Sequence, residues 1–300
     1  VVHKQAGSGK GAIMALAGID FSNISDRELV SLFNKVLAGG IHGISFSPYT
    51  EGQGPGTQIQ EGQIRDRLSI IEPYVDWVRS FSCTEGNEAI PRVAYDNGLK
   101  TMVGVWLEGD LENNEKELAN AIEVARAGHA DIVAVGNEVL LRGDLTEDQL
   151  LGYINRFKEA VPGVDVGYVD AYFEFVDHPR VADACDVILA NCYPFWEGCS
   201  AEYALIYMKD MYRRAAAVAK GKKVIISETG WPSVGTPTGA AIPSHANAIR
   251  FFLNAYKWAE EEGIEIFYFS SFDEDWKTGD EGDVGAYWGL WNKDGRLKYN

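Results

Sequence analysis

The sequence is poor in the residues that build metal and redox centres. Its 300 residues include only four cysteines and five histidines. Cys83, Cys185, Cys192 and Cys199 form no Cys-x-x-Cys pair, and His3, His42, His129, His178 and His245 form no His-x-x-x-His pair. The usual zinc spacings are therefore missing, and neither a metal nor a cofactor is expected. Cys185, Cys192 and Cys199 fall close together, and either a disulfide among them or buried free thiols fits. Positive charge is scarce as well. With 27 basic against 44 acidic residues, the formal charge is −17 and the pI ≈ 4.7. No basic stripe offsets it, which argues against a nucleic-acid partner. No run approaches the ~18 apolar residues of a membrane span. The 12% aromatic content excludes a disordered chain. Gly7-Ser8-Gly9-Lys10-Gly11 has no Ser or Thr after its lysine and no glycine five residues before Gly9, so it fails as a phosphate loop. Residues 1–11 read as a linker or disordered N-terminus. The chain starts at Val1 rather than Met and carries no signal peptide, which suggests processing.

What is present is an alternation. Short apolar runs occur at Gly43–Ser47, Val75–Ser82, Thr101–Leu107, Ile132–Gly136, Val164–Val169, Val187–Cys192, Val224–Ser227 and Ile264–Phe269. They are nearly continuous, as strands buried on both faces require. Between them lie stretches of helical spacing: Ile59–Ile71, Gly86–Asn97, Asn114–Ala127, Glu147–Ala160, His178–Ala184, Ala201–Ala219 and Ser244–Glu262. Thr146 to Gln149 fits a capping box, and Gly98 and Gly128 stand at helix stops. Eight strands in βα order predict an α/β protein, a (β/α)8 TIM barrel over residues 41–300. A doubly wound sheet would want a Gly-rich loop after its first strand, and none is there. A further strand at Ile13–Phe21 and a helix at Asp26–Ala38 make residues 12–40 an N-terminal extension packed outside the barrel.

Barrel chemistry gathers at the carboxyl ends of the strands. Two strands end alike, in Val135-Gly136-Asn137-Glu138 and in Ile226-Ser227-Glu228-Thr229-Gly230-Trp231-Pro232. By count these close the fourth and seventh strands, which sets Glu138 and Glu228 across the barrel mouth. Two facing carboxyl groups suit glycosidic bond cleavage, one protonating the leaving oxygen while the other attacks the anomeric carbon. Tyr49, Trp106, Tyr193, Phe195, Trp196, Trp231, Trp276 and Trp288 fall at or after strand ends, where aromatic planes stack on sugar rings. Trp106 and Trp288 are better read as roofing the barrel.

The two carboxylate motifs resemble the acid/base and nucleophile signatures of glycoside hydrolase family 17, the β-1,3-glucanases and related transferases. Gly43-Ile44-Ser45-Phe46-Ser47-Pro48-Tyr49, Val78-Arg79-Ser80-Phe81, Asn191-Cys192-Tyr193-Pro194 and Phe272-Asp273-Glu274-Asp275-Trp276-Lys277 resemble its first, second, sixth and eighth strands. The likeness runs from about Gly40 to the end. It implies Glu138 as acid/base, Glu228 as nucleophile and retention of configuration. It further implies Asn137 on the sugar 2-hydroxyl, Tyr193 beside Glu228, and Glu274 and Lys277 ordering the carboxylates. Asp170 and Asn191 would line the groove floor, and Trp231 would contact the sugar. The short segment from Trp196 to Lys222 matches the compact bacterial and fungal members. The resemblance implies an endo-β-1,3-glucanase of laminarinase type acting on β-1,3-glucan polysaccharide or oligosaccharide. A transglycosylase with the same residues is the alternative, and a non-catalytic glucan-binding protein the rival of another class. A monomer outside the cell, in the periplasm or at the cell surface is expected, with the Asn23-Ile24-Ser25 sequon as a hint of secretion.

Overall fold

The computed structural model describes residues 17–300. In chain order the elements are α1 (Asp26–Ala38), β1 (Ile41–Ser45), α2 (Glu61–Ile71), β2 (Val75–Arg79), α3 (Ile90–Asp96), β3 (Lys100–Val105) and α4 (Leu111–Arg126). There follow β4 (Ile132–Asn137), α5 (Val139–Arg142), α6 (Glu147–Ala160), β5 (Asp165–Ala171), α7 (Tyr172–Asp177), α8 (Pro179–Ala184) and β6 (Ile188–Asn191). The last are α9 (Ala204–Val218), β7 (Val224–Thr229), α10 (His245–Glu262) and β8 (Ile266–Tyr268). The eight strands form one closed parallel barrel in sequence order, with β8 paired to β1 through Gly43↔Phe267 and Ile44↔Tyr268.

The continuous apolar runs have a direct explanation. Ile132 and Ala134 point into the barrel with Met102, Val169, Leu189, Ile225 and Phe267. Val133 and Val135 belong to the other layer, against the helices. Both faces of each strand are buried, so the period-two signal disappears. All eight strands lie where the apolar runs predict them. The Thr146 hydroxyl accepts from the Gln149 N–H in a complete capping box at the start of α6. Two short helices, α5 and α7, escape a periodicity reading because neither reaches two turns.

The N-terminal segment differs from expectation. Ile13–Leu16 lie outside the described residues, and Ala17–Phe21 form no strand. A closed barrel has no free edge for a ninth strand. The backbone finds a side chain instead: the Ile19 N–H donates to Asn254 Oδ1 at 2.9 Å, and Asn254 Nδ2 donates to the Ala17 carbonyl at 3.4 Å. Helix α1, capped by Ser25 and Glu28, packs beside α10. Phe33 meets Phe252 at 4.7 Å and Tyr299 at 5.0 Å. Only a four-residue 3-10 turn, Asp283–Ala286, follows β8, and α1 covers the β8–β1 side of the barrel. All four cysteines are buried and free, which settles the open alternative in favour of thiols.

Candidate active site

Both carboxylate-bearing strands carry an extra residue at their ends. Between Ala134↔Gly167 and Asn137↔Val169, three steps of β4 span two of β5. Between Ala190↔Ile226 and Asn191↔Glu228, two steps of β7 span one of β6. Such bulges re-aim side chains. A regular strand sends consecutive residues to opposite faces. Here Gly136 at φ 93° and Glu138 at φ 54° break the alternation, and Asn137 and Glu138 both join the site.

Glu228 is 6% exposed and receives two donors. Arg79 Nη1 reaches its Oε2 at 2.6 Å, and the Tyr193 hydroxyl donates to its Oε1 at 2.7 Å. Arg79 itself is 1% exposed and lies over the Phe81 ring at 4.4 Å. It also donates through Nη1 to the Ser227 carbonyl at 3.3 Å and through Nη2 to Asn137 Oδ1 at 2.8 Å. Asn191 ties the two carboxylate strands together. Its Nδ2 donates to Glu138 Oε1 at 3.0 Å, and its Oδ1 accepts from Ser227 Oγ at 2.7 Å.

Glu138 is pushed up to about 6, first by burial and then by the facing Glu228, with Asn191, Arg142 and Arg79 pulling the other way. The two carboxyl groups thus stand in unlike settings. They open into a cleft of about 350 Å³ lined by Leu141, Tyr172, Phe173, Tyr193, Trp196 and Trp288 among others. Glu281 also lines it, with Oε2 buried and unpartnered. Burial raises Glu281, Lys277 opposes the rise and Glu228 adds to it.

Glu274 and Lys277 form no surface pair: they are 7% and 16% exposed with 4.0 Å between Nζ and Oε2. The Lys277 ammonium sits 4.0 Å over the Phe269 ring, and Phe269 stands edge-on to Tyr193 at 6.3 Å. Tyr49 and Trp276 pack edge-on at 6.0 Å, in the loops that follow β1 and β8. Trp276 is 41% exposed.

Three expectations need correction. Trp231 does not face a sugar. It is 2% exposed, packed edge-on to Phe195 and tilted against Phe251, with its indole N–H on the Ile242 carbonyl at 3.0 Å. Asp170 is not on the groove floor. It shares a face of β5 with Tyr168, which packs toward the helices, while Val169 points into the barrel; one step along a strand reverses the face. Trp288 does more than roof the barrel, since it lines the cleft at 5.5 Å from Tyr193. Arg79 has no role in the sequence reading: its one signal there is the Val78-Arg79-Ser80-Phe81 motif, and with Asp76 on the same strand it is not a lone charge. Glu281 left no such signal, being one acid in an acidic loop.

A family model described as the BtgE/BtgC glycoside hydrolase domain matches residues 43–289. The chain belongs to this family. Among the relatives of this glycoside hydrolase is a glucan 1,3-beta-glucosidase of Arthroderma benhamiae. It is 30% identical over 274 residues, covering 82% of this chain and 88% of the relative. A Saccharomyces cerevisiae glucan 1,3-beta-glucosidase is 28% identical over 270 residues, covering 82% and 86%. In structure the glycoside hydrolase is similar to the family 17 β-1,3-glucanosyltransferase of Rhizomucor miehei. That match has a TM-score of 0.77 at 27% identity, over 87% of this chain and 96% of that one. An endo-laminarinase from Formosa, at 18% identity and a TM-score of 0.74 over 88% and 86%, shares the fold.

Proposed function

We propose that this enzyme cleaves β-1,3-linked glucan by double displacement with retention, Glu228 attacking and Glu138 carrying the proton. The observation behind the assignment is the asymmetry of the pair. Arg79 and Tyr193 engage both oxygens of Glu228, which aims a carboxylate at an anomeric carbon. Glu138, raised to about 6, keeps a proton where an ordinary glutamate has lost it. In the first step Glu138 protonates the departing glycosidic oxygen as Glu228 forms the glycosyl-enzyme bond. In the second, Glu138 takes a proton from the acceptor as that bond breaks. Asn137, its carbonyl occupied by Arg79, is left with its amide hydrogens for the sugar 2-hydroxyl. Tyr49, Asn191, Tyr193, Glu274, Trp276 and Lys277 bind or order the substrate around this pair.

The relatives by name act on 1,3-β-glucan, which supports the linkage. A second reading, transfer to another sugar, is favoured by the apolar side of the cleft at Leu141, Tyr172, Phe173 and Trp196. That surface gives a sugar acceptor a place to stack beside Glu138 where water gains nothing. The deciding experiment is a product time course from a β-1,3-gluco-oligosaccharide. Only shorter products mean hydrolysis, and longer ones mean transfer. Stoichiometric binding without turnover would replace both readings with a glucan-binding protein. We further propose that the enzyme works as a monomer outside the cell or at its surface, where polymeric glucan is found. No helix among the described residues is long and apolar enough to cross a membrane.

A further inference from the structure

Glu138 stands on backbone that its own sequence does not favour. At φ 54° and ψ 29° it occupies the left-handed region, and its side chain caps nothing. L-residues with a Cβ avoid that region unless their surroundings fix it. The peptide before it is anchored, since the Glu138 N–H donates to the Val169 carbonyl at 2.8 Å. Behind it the four-residue α5 offers little, because a helix that short leaves most of its amides unpaired. The Leu140 N–H finds its acceptor outside the helix, in the Tyr168 hydroxyl at 3.0 Å.

That hydroxyl is itself oriented. Tyr168 is 0% exposed. Its ring lies against Gly136, where a Cβ would come within 3.2 Å of it. Its single proton is donated to Asp170 Oδ2, which leaves its lone pairs turned to Leu140. The other Asp170 oxygen accepts the Ala171 N–H at 2.8 Å. The chain of hydrogen bonds has one direction: Leu140 N–H to Tyr168 O–H to the Asp170 carboxyl. Asp170 is 0% exposed and lies on the face of β5 opposite Val169, which points into the barrel, so no surface of it is open to a sugar. Burial pushes it up to about 7, and Glu138 and Glu174 add to the rise. An apolar residue would avoid that penalty.

We infer that Tyr168 and Asp170 are positioning residues that hold Glu138 in line with the glycosidic oxygen, acting through the Leu140 N–H. The inference rests on reading Glu138 as the acid/base. If Glu138 is misplaced, protonation of the leaving group suffers while attack by Glu228 does not. The loss should therefore depend on the leaving group, which a general loosening of the fold would not produce.

The test uses Tyr168→Phe, which keeps the packed ring and removes only the hydroxyl, and Asp170→Asn, which presents one acceptor where two are in use. On a β-1,3-gluco-oligosaccharide, kcat should fall about ten- to hundredfold with KM within about twofold, less than the roughly hundred- to ten-thousandfold that acid–base catalysis supplies, because Glu138 is displaced and not removed. For a dinitrophenyl β-glycoside, whose leaving group needs no proton, kcat/KM should stay within about threefold of the wild type. Equal losses on both substrates, a change in KM alone, or no loss would each overturn the inference. If Asp170→Asn does not fold, Tyr168→Phe decides by itself. Glu138→Ala is measured alongside. If it shows the leaving-group split and the two variants do not, the positioning role fails and the acid/base reading stands. If Glu138→Ala loses both substrates equally, the acid/base reading fails and takes this inference with it.

Discussion

Arg79 at the end of β2 bonds Glu228 at the end of β7 across the barrel mouth, Nη1 to Oε2 at 2.6 Å. Through Nη2 the same guanidinium holds Asn137, the residue beside Glu138, at 2.8 Å. One planar cation thus fixes both sides of the reaction centre at once. Strands β2 and β7 are not neighbours, so barrel closure alone brings the pair together.

Arg79→Met should leave Glu228 buried without its cation. Removing one partner of a buried ion pair costs about 3–5 kcal/mol, and the unfolding midpoint should drop accordingly. Arg79→Lys keeps the charge but not the fork. It should recover much of the stability while kcat remains low, because Glu228 and Asn137 can no longer both be held. A methionine variant with wild-type kcat would remove Arg79 from the site.

The two glutamates should separate under chemical rescue. Glu138→Ala should still be glycosylated by an activated aryl glycoside and then stall, because water lacks a base. Azide needs no deprotonation, so it should restart turnover and give the β-glycosyl azide. Glu228→Gln should give none. A β-azide from the Glu228 variant, or an α-azide from Glu138→Ala, would mean the roles are reversed.

The proton on Glu138 sets a pH limit. With its carboxyl raised to about 6, kcat/KM should fall as pH rises through that value. Stability follows the same sign. A raised acid favours the fold below its unfolded value near 4.5 and weakens it as pH rises through about 6. Glu138→Gln should therefore be more stable than the wild type at pH 8, by up to about 2 kcal/mol, and equal to it near pH 4. Denaturant unfolding at the two pH values checks this, and a destabilised glutamine variant at pH 8 would contradict it.

At the opposite end of the barrel, His42 packs against Trp77 at 5.6 Å and Phe267 at 5.4 Å. Burial lowers its pKa. Glu265 and Asp76 oppose the shift, and Lys223 and Lys100 add to it. The neutral ring is the one that fits. Its stabilising share is whole above about pH 6.5 and declines as pH falls below that. His42→Leu should flatten the loss of stability as pH falls below about 6.5 in thermal unfolding, and an unchanged slope would clear His42 of the effect.

Much of this was legible because barrels write themselves into sequence plainly. Strands buried on both faces read as solid apolar runs, and the eight runs alternate with helices of the right length. Glu138 and Glu228 stood out because each ends such a run. Arg79 lies inside the run Val75–Ser82 together with Asp76, its partner is 149 residues away, and nothing local names it. The resemblance puts Asp170 on the groove floor, but it lies one step from the inward-facing Val169 and so on the helix side of β5, a choice of layer that only the pairing of the strands fixes.

The sequence by itself determined the eight barrel strands and their order, the helix starts at Asp26 and Thr146, and the two acids, because each depends on contacts or patterns within a few residues. Only the tertiary structure decided which residues share the site. The bulges in β4 and β7 are defined by pairing with β5 and β6, so no single strand reveals that Asn137 and Glu138 turn to the same side. The burial that raises Glu138, and the cation that meets Glu228, come from strands far apart along the chain. Their effect appears only when the barrel shuts out water and leaves those groups to one another.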